Sequence, residues 1–251
     1  MKKLILNFLL LLVCSSANAQ SKFSTASFYT FGNFSGENED SDEFSQYTTL
    51  FLPNYTTLIL GYDFLKYPSY EQDHFVLNYR SYWKQRTAFG LHYFRVGSPE
   101  TQLVNSYGLN FWLKEKYFAE FDYSYYDEPT RNFSVYQSTL GYKFWYDYFP
   151  HTVKLNLQKS PYNLLSSVTY SSFYEMSGFG MSWGLSYGKK QFFVDSETLL
   201  LENNEDLENY SLKFQPYYNF KNKLKISYSY KFKNFDSYKV HYNTFGVKIT
   251  L

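Results

Sequence analysis

The residues of this chain that could do chemistry fall into two sets. The first is His92 with Glu120 and Asp122, and with Arg80 on the preceding segment. A carboxylate beside an imidazole can orient it as a general base. The second set is basic: Lys213, Lys225, Lys231 and Lys248, all near the C-terminal end. Other chemical signals are absent. The four histidines, His74, His92, His151 and His241, show no metal-ligand spacing. There is no Gly-rich phosphate loop and no nucleophile elbow. Cys14 is the only cysteine. The expectation is no catalytic residue, no metal and no cofactor, with His92 a hydrogen-bonded wall residue.

Those residues must be positioned by strands, because the hydrophobic period is two nearly everywhere. Phe179, Met181, Trp183, Leu185 and Tyr187 alternate with Gly180, Ser182, Gly184 and Ser186. Val153, Leu155 and Leu157 alternate with Thr152, Lys154, Asn156 and Gln158. Leu224, Ile226, Tyr228, Tyr230 and Phe232 alternate with Lys225, Ser227, Ser229 and Lys231. Strict alternation marks a strand with one face in an apolar medium.

The first residues read as an address. Lys2 and Lys3 precede an apolar run over residues 4–13, broken only by Asn7. Ala17 and Ala19 supply the small residues that a signal peptidase reads. Residues 1–19 are therefore expected to be a cleaved signal peptide, and residues 20–251 one domain. Cleavage would remove Cys14 and with it any thiol chemistry; lipidation at Cys14 is disfavoured by the bulky Val13 before it. No later stretch has the roughly 20 apolar residues of a membrane-spanning helix. Aromatic residues make up 24% of the chain, with 29 Tyr and 26 Phe, while the mean hydropathy is −0.45. Only helices and closed barrels satisfy their own backbone in lipid. A barrel also needs aromatic girdles at both interfaces, and its lumen face can be polar. A net charge of +1 leaves no field for nucleic acid.

The fold class expected is all-β: a closed antiparallel transmembrane β-barrel of about 14 strands, with 12–16 allowed, in a bacterial outer membrane. Short turns fall near Pro53-Asn54, Lys84-Gln85, residues 114–116, residues 147–150, Met176-Ser177 and residues 219–222. Longer polar links cover 36–43, 67–73, 97–101, 127–131, 160–163, 189–206 and 234–238. The longest of these holds Phe192, Phe193 and the run Leu199-Leu200-Leu201, and reads either as an extra hairpin or as a loop folding inward. Tyr67, Tyr70, Tyr79, Tyr82, Trp83, Trp112, Trp145, Tyr146 and Tyr148 are the girdle candidates. The last strand alternates Phe245, Val247, Ile249 and Leu251, and ends in Leu where barrel-assembly machinery usually meets an aromatic residue.

Alternation places Asp63, Arg80, His92, Glu120 and Asp122 on one lumen wall, together with Asn78 and Gln137. Lys143, Lys154, Asn156 and Gln158 follow, and then the basic wall of Lys213, Lys225, Lys231 and Lys248 with no interior acid between them. A charge on the lipid face would cost about 2–4 kcal/mol at the midplane. Two readings of the lysines stay open. They could draw anionic solutes or glycans through a pore, or pair across the lumen with Asp63, Glu120 and Asp122. The acidic runs over 37–43 and 202–206 could bridge lipopolysaccharide through divalent ions, but they lack EF-hand spacing and read as solvated loops. A non-enzymatic envelope role leads, as a small-solute or glycan-associated channel. A plugged structural barrel and a barrel hydrolase are the alternatives.

The stretch Phe121-Asp122-Tyr123-Ser124-Tyr125-Tyr126-Asp127, followed by Gln137-Ser138-Thr139-Leu140-Gly141-Tyr142, resembles the YaiO-type outer-membrane barrels. The resemblance extends to size, signal and order of hairpins. It implies the same barrel and carries no functional residue with it.

Overall fold

The computed structural model describes residues 22–35, 40–68, 71–83, 87–98, 103–202 and 206–251. The expected signal peptide, Cys14, the Lys84-Gln85 turn, Tyr70 and parts of both acidic runs lie outside the described residues. Fourteen strands form one closed antiparallel barrel. In chain order the first seven are β1 (Lys22–Phe34), β2 (Ser41–Leu52), β3 (Thr56–Lys66), β4 (Glu71–Trp83), β5 (Thr87–Gly97), β6 (Leu103–Leu113) and β7 (Tyr117–Asp127). Then come β8 (Asn132–Tyr146), β9 (Phe149–Lys159), β10 (Leu164–Met176), β11 (Phe179–Lys190), β14 (Glu208–Phe220), β15 (Leu224–Phe235) and β16 (Lys239–Thr250). Two short strands, β12 (Val194–Asp195) and β13 (Leu200–Leu201), pair only with each other.

Each barrel strand hydrogen-bonds its sequence neighbour, and β1 closes on β16 from Ser24↔Thr250 to Phe34↔Val240. Leu251 N donates to Phe23 O at 2.9 Å to finish the seam. Strands of 11–15 residues exceed the roughly 9–11 needed to cross a bilayer at a tilt. Among the described residues no helix is long and apolar enough to cross a membrane.

The turns expected to be short are short for a conformational reason. Asn54-Tyr55, Lys114-Glu115, Asp147-Tyr148, Ser177-Gly178 and Lys221-Asn222 all take positive φ in consecutive pairs. Left-handed pairs of this kind match the twist of the strands they join. They lie at one end of the barrel, and the longer links lie at the other.

The faces follow the pleat. Leu109, Phe121, Leu155, Leu185, Phe214, Ile226 and Val247 are exposed on the outside. Asn78, Ser106, Glu120, Gln137, Asn156 and Ser186 are buried on the inside. A belt of exposed Leu, Ile, Val and Phe around a closed sheet is stable only against lipid. One part of the lumen is itself apolar. Towards the long-loop end, Val76, Phe94, Val96, Val104, Tyr126, Phe133 and Val135 pack with Phe192, Val194 and Leu201. Both alternatives for the longest link therefore hold together: it is a small hairpin, and it folds into the barrel.

Closure can be checked directly. Thr30 and Thr244 face each other across the β1–β16 seam with their Oγ1 atoms 2.9 Å apart. The pair Thr30→Cys with Thr244→Cys is expected to form a disulfide in membranes, since facing residues on paired strands meet its geometric limits. Mass spectrometry of the linked peptides reads it. A sheet left open at β1 and β16 would give no linked peptide.

Candidate functional site

The lumen site is built around the inner hairpin. A two-stranded ribbon has unpaired backbone groups on both edges, and each needs a partner once water is displaced. Side chains on the wall supply them. The Gln137 amide donates to Val194 O at 2.6 Å and accepts from Val194 N at 3.1 Å. Gln158 does the same with Phe192 O (3.0 Å) and Gln191 N (3.0 Å). Asn78 donates to Ser196 O, Ser196 N donates to Glu120 Oε1, and Asn110 donates to Ser196 Oγ. All of these wall residues lie on β4 to β9.

Ion pairs complete the docking. Lys154 on β9 meets Glu197 at 2.8 Å and Asp195 at 3.3 Å. On the other side Glu202 pairs with Lys231 at 3.2 Å and, more closely, with Lys233. Glu208 pairs with Lys190 at 2.9 Å and with Lys233 at 3.3 Å. Burial alone would raise the Glu202 carboxyl, but Lys233, Lys231 and Lys190 hold it well below the usual carboxylate range. This corrects the expectation of an acid-free basic wall. Glu208 sits on β14 itself, and Glu202 is carried in by the hairpin. Among the described residues no lysine forms an ion pair with Asp63, Glu120 or Asp122; lysines pair with hairpin and strand-end acids instead.

All four predicted lysines lie on the lumen face, as two cross-strand rungs: Lys213↔Lys231 and Lys225↔Lys248. Their surroundings differ. Lys231 is held by Glu202. Lys225 Nζ sits 3.4 Å from the centre of the Tyr217 ring, a cation–π contact. Lys213 and Lys248 have no ion pair among the described residues. Both line a cavity of about 480 Å³ between the hairpin and the wall of β14–β16 and β1–β3. Glu43 and Asp63 line its far side. Alternation could have revealed Lys233, which continues the series Lys225, Ser227, Ser229, Lys231. Glu43 was hidden in an acidic run read as loop, although β2 begins at Ser41.

The predicted His92 set is also brought together. His92 Nε2 lies 2.5 Å from Asp122 Oδ1 and 3.7 Å from Glu120 Oε1. His92 and Asp122 stand two strands apart, with Gly108 of β6 directly between them. A Cβ on Gly108 would collide with both His92 Nε2 and Asp122 Oδ1. The three residues are the one His/carboxylate group among the described residues whose ligand atoms lie within 4.8 Å of one another. All three are buried, and the hairpin covers Glu120 through Ser196. With the hairpin docked, the His92 side chain has no exposed surface. Arg80 lies on the lumen face of β4, opposite Thr57 and Gly90.

Two girdle candidates belong to the lumen instead. Trp112 Nε1 donates to Glu197 Oε1 at 3.1 Å, and Tyr67 lines the cavity. Trp83, Tyr146 and Tyr148 are exposed at strand ends, as interface rings would be.

No protein-family model matches the sequence, and no curated protein matches it. Solved structures do resemble the fold. The Acinetobacter baumannii outer membrane protein Omp33 is similar with a TM-score of 0.55 at 8% identity, over 92% of this chain and 98% of that one. A mutant of the TodX monoaromatic hydrocarbon channel is similar with a TM-score of 0.55 at 9% identity, over 92% of this chain and 90% of that one. The likeness is one of fold. Together with the apolar outer belt, it makes this chain a β-barrel of the bacterial outer membrane.

Proposed function

We propose that the chain is a channel for small polar solutes, narrowed by its inner hairpin. The observation that carries this reading is the asymmetry of the docking. The hairpin backbone is hydrogen-bonded along β4 to β9, and beside the Glu202 ion pairs to β15 it leaves a cavity of about 480 Å³ against β14–β16 and β1–β3. TodX is a hydrocarbon channel; the cavity here carries Lys213, Lys248, Glu43 and Asp63 and favours polar cargo. A second reading, a closed structural barrel, draws support from the number of bonds that hold the hairpin. The proposal takes outer-membrane lipids, lipopolysaccharide and barrel-assembly machinery as partners. The YaiO-type affiliation also belongs to it and rests on the sequence resemblance alone.

Planar-bilayer recording separates the two readings: a channel gives discrete steps, and a closed barrel stays silent. In the channel, Lys213→Gln with Lys248→Gln is expected to lower the chloride-to-potassium permeability ratio severalfold, because these lysines line the cavity and form no ion pair among the described residues. An unchanged reversal potential would remove them from the conduction path.

Glu202→Gln tests the hairpin as the constriction. It strands Lys231 and leaves Lys233 with Glu208 alone, and breaking a buried pair costs about 3–5 kcal/mol. Larger and noisier currents are expected; wild-type currents would show that the hairpin is no obstacle. The pH dependence has a definite sign. The Glu202 pKa is depressed in the folded chain, so its contribution is complete above the unfolded value of about 4.3 and is lost as pH falls through the folded value. Noise from a loosened hairpin should therefore be absent from pH 7 to about 4.3 and appear only in stronger acid.

A further inference from the structure

Besides the Glu202 ion pairs, the cavity beside the hairpin is lined by acidic and basic groups that form no ion pair among the described residues. Asp63 is 5% exposed, and its Oδ1 has no hydrogen-bond partner. Glu43 lies near it on β2 and accepts only from Ser45 Oγ, at 3.2 Å. Neither carboxylate has a cation within ion-pair distance among the described residues. Lys213 and Lys248 are the complementary case, lining the same space with no ion pair among the described residues. The other two lysines lining the cavity, Lys231 and Lys233, are taken by Glu202. Asp63 is buried, where an unpaired charge is expensive, while Glu43, Lys213 and Lys248 are partly exposed to the cavity, so the cavity offers one end that suits a cation and one that suits an anion.

The two demands are separated by a definite span. Lys248 on β16 and Asp63 on β3 are three strand spacings apart, about 15 Å along the wall. Their side chains reach inward from both ends and shorten the gap. Phe28, Ile59, Leu65 and Leu199 line the space. A volume of about 480 Å³ lies within the range of about 300–1,000 Å³ for small-ligand pockets.

We propose that this cavity binds short zwitterionic peptides, with the ammonium end at Asp63 and Glu43 and the carboxylate end at Lys248 and Lys213. A single amino acid is too short to bridge the ends. An extended chain of three residues reaches about 10–11 Å, which suits the shortened gap. This names the cargo of the proposed channel and rests on that reading for how the peptide arrives.

Calorimetric titration of the detergent-solubilised barrel tests it with four probes: trialanine, its N-acetyl form, its C-terminal amide, and the doubly blocked peptide. Trialanine should bind, and either block should weaken binding at least tenfold. Asp63→Asn should weaken trialanine but leave the N-acetyl form unaffected. Lys248→Gln should weaken trialanine but leave the amide unaffected. The wild-type series stands even if a variant fails to fold. Equal affinity for free and blocked peptides, or no binding of trialanine, would overturn the proposal. Ion conductance without peptide binding defeats this inference and spares the channel. Peptide binding to a barrel that never conducts supports the site and defeats the channel.

Discussion

Every backbone N–H and C=O that faces lipid must find its partner within the sheet, since the hydrocarbon offers none. The seam between β1 and β16 satisfies the last free edge, and the rest of the architecture follows from that closure. Fourteen strands joined by tight left-handed turns and longer opposite links bring the first strand beside the last. Once the sheet is closed, the pleat sorts side chains into two solvents. Leu155 and Ile226 meet lipid, while Asn156 and Ser227 meet the lumen. The mean hydropathy of a chain so rich in Tyr and Phe is negative for this reason.

Inside the barrel the same requirement returns in another form. The wall leaves room that strand side chains alone do not fill, and the segment between β11 and β14 occupies it. Its backbone is met by carboxamides that imitate a neighbouring strand, Gln137 and Gln158 each offering a donor and an acceptor. Its Glu202 neutralises Lys231 and Lys233 of β15, which would otherwise repel one another and Lys213 of β14. Lys213 and Lys231 are a like-charged rung, and such a pair is destabilising unless an opposite charge intervenes. Glu202 intervenes for Lys231, whereas Lys213 has no ion pair among the described residues. The hairpin thus decides which wall charges are paired.

The sequence made the barrel legible because its signals are local. A period of two, read over five residues, assigned Lys154, Asn156 and Gln158 to the lumen, and turn chemistry marked the links. The contacts within the lumen were not local. Whether residues 189–206 stayed outside or folded in depended on an apolar patch assembled from five strands, β4 to β8, which no window of sequence displays. Trp112 looked like an interface ring because its type suits that role; its position on the inner face of β6 gave it Glu197 as partner instead. The meeting of His92 and Asp122 was suggested by residue type. The reason it is possible, the missing side chain at Gly108, is visible only when β5, β6 and β7 are set in register.

The docking partners of the hairpin have an order in the chain. Asn78, Glu120, Gln137 and Gln158 come before it, whereas Lys231 and Lys233 come after it on β15. During biogenesis the stopper can settle fully only after most of the cylinder around it exists. The last of its contacts therefore wait for β15, and its full docking is a finishing step, separable from the making of the wall.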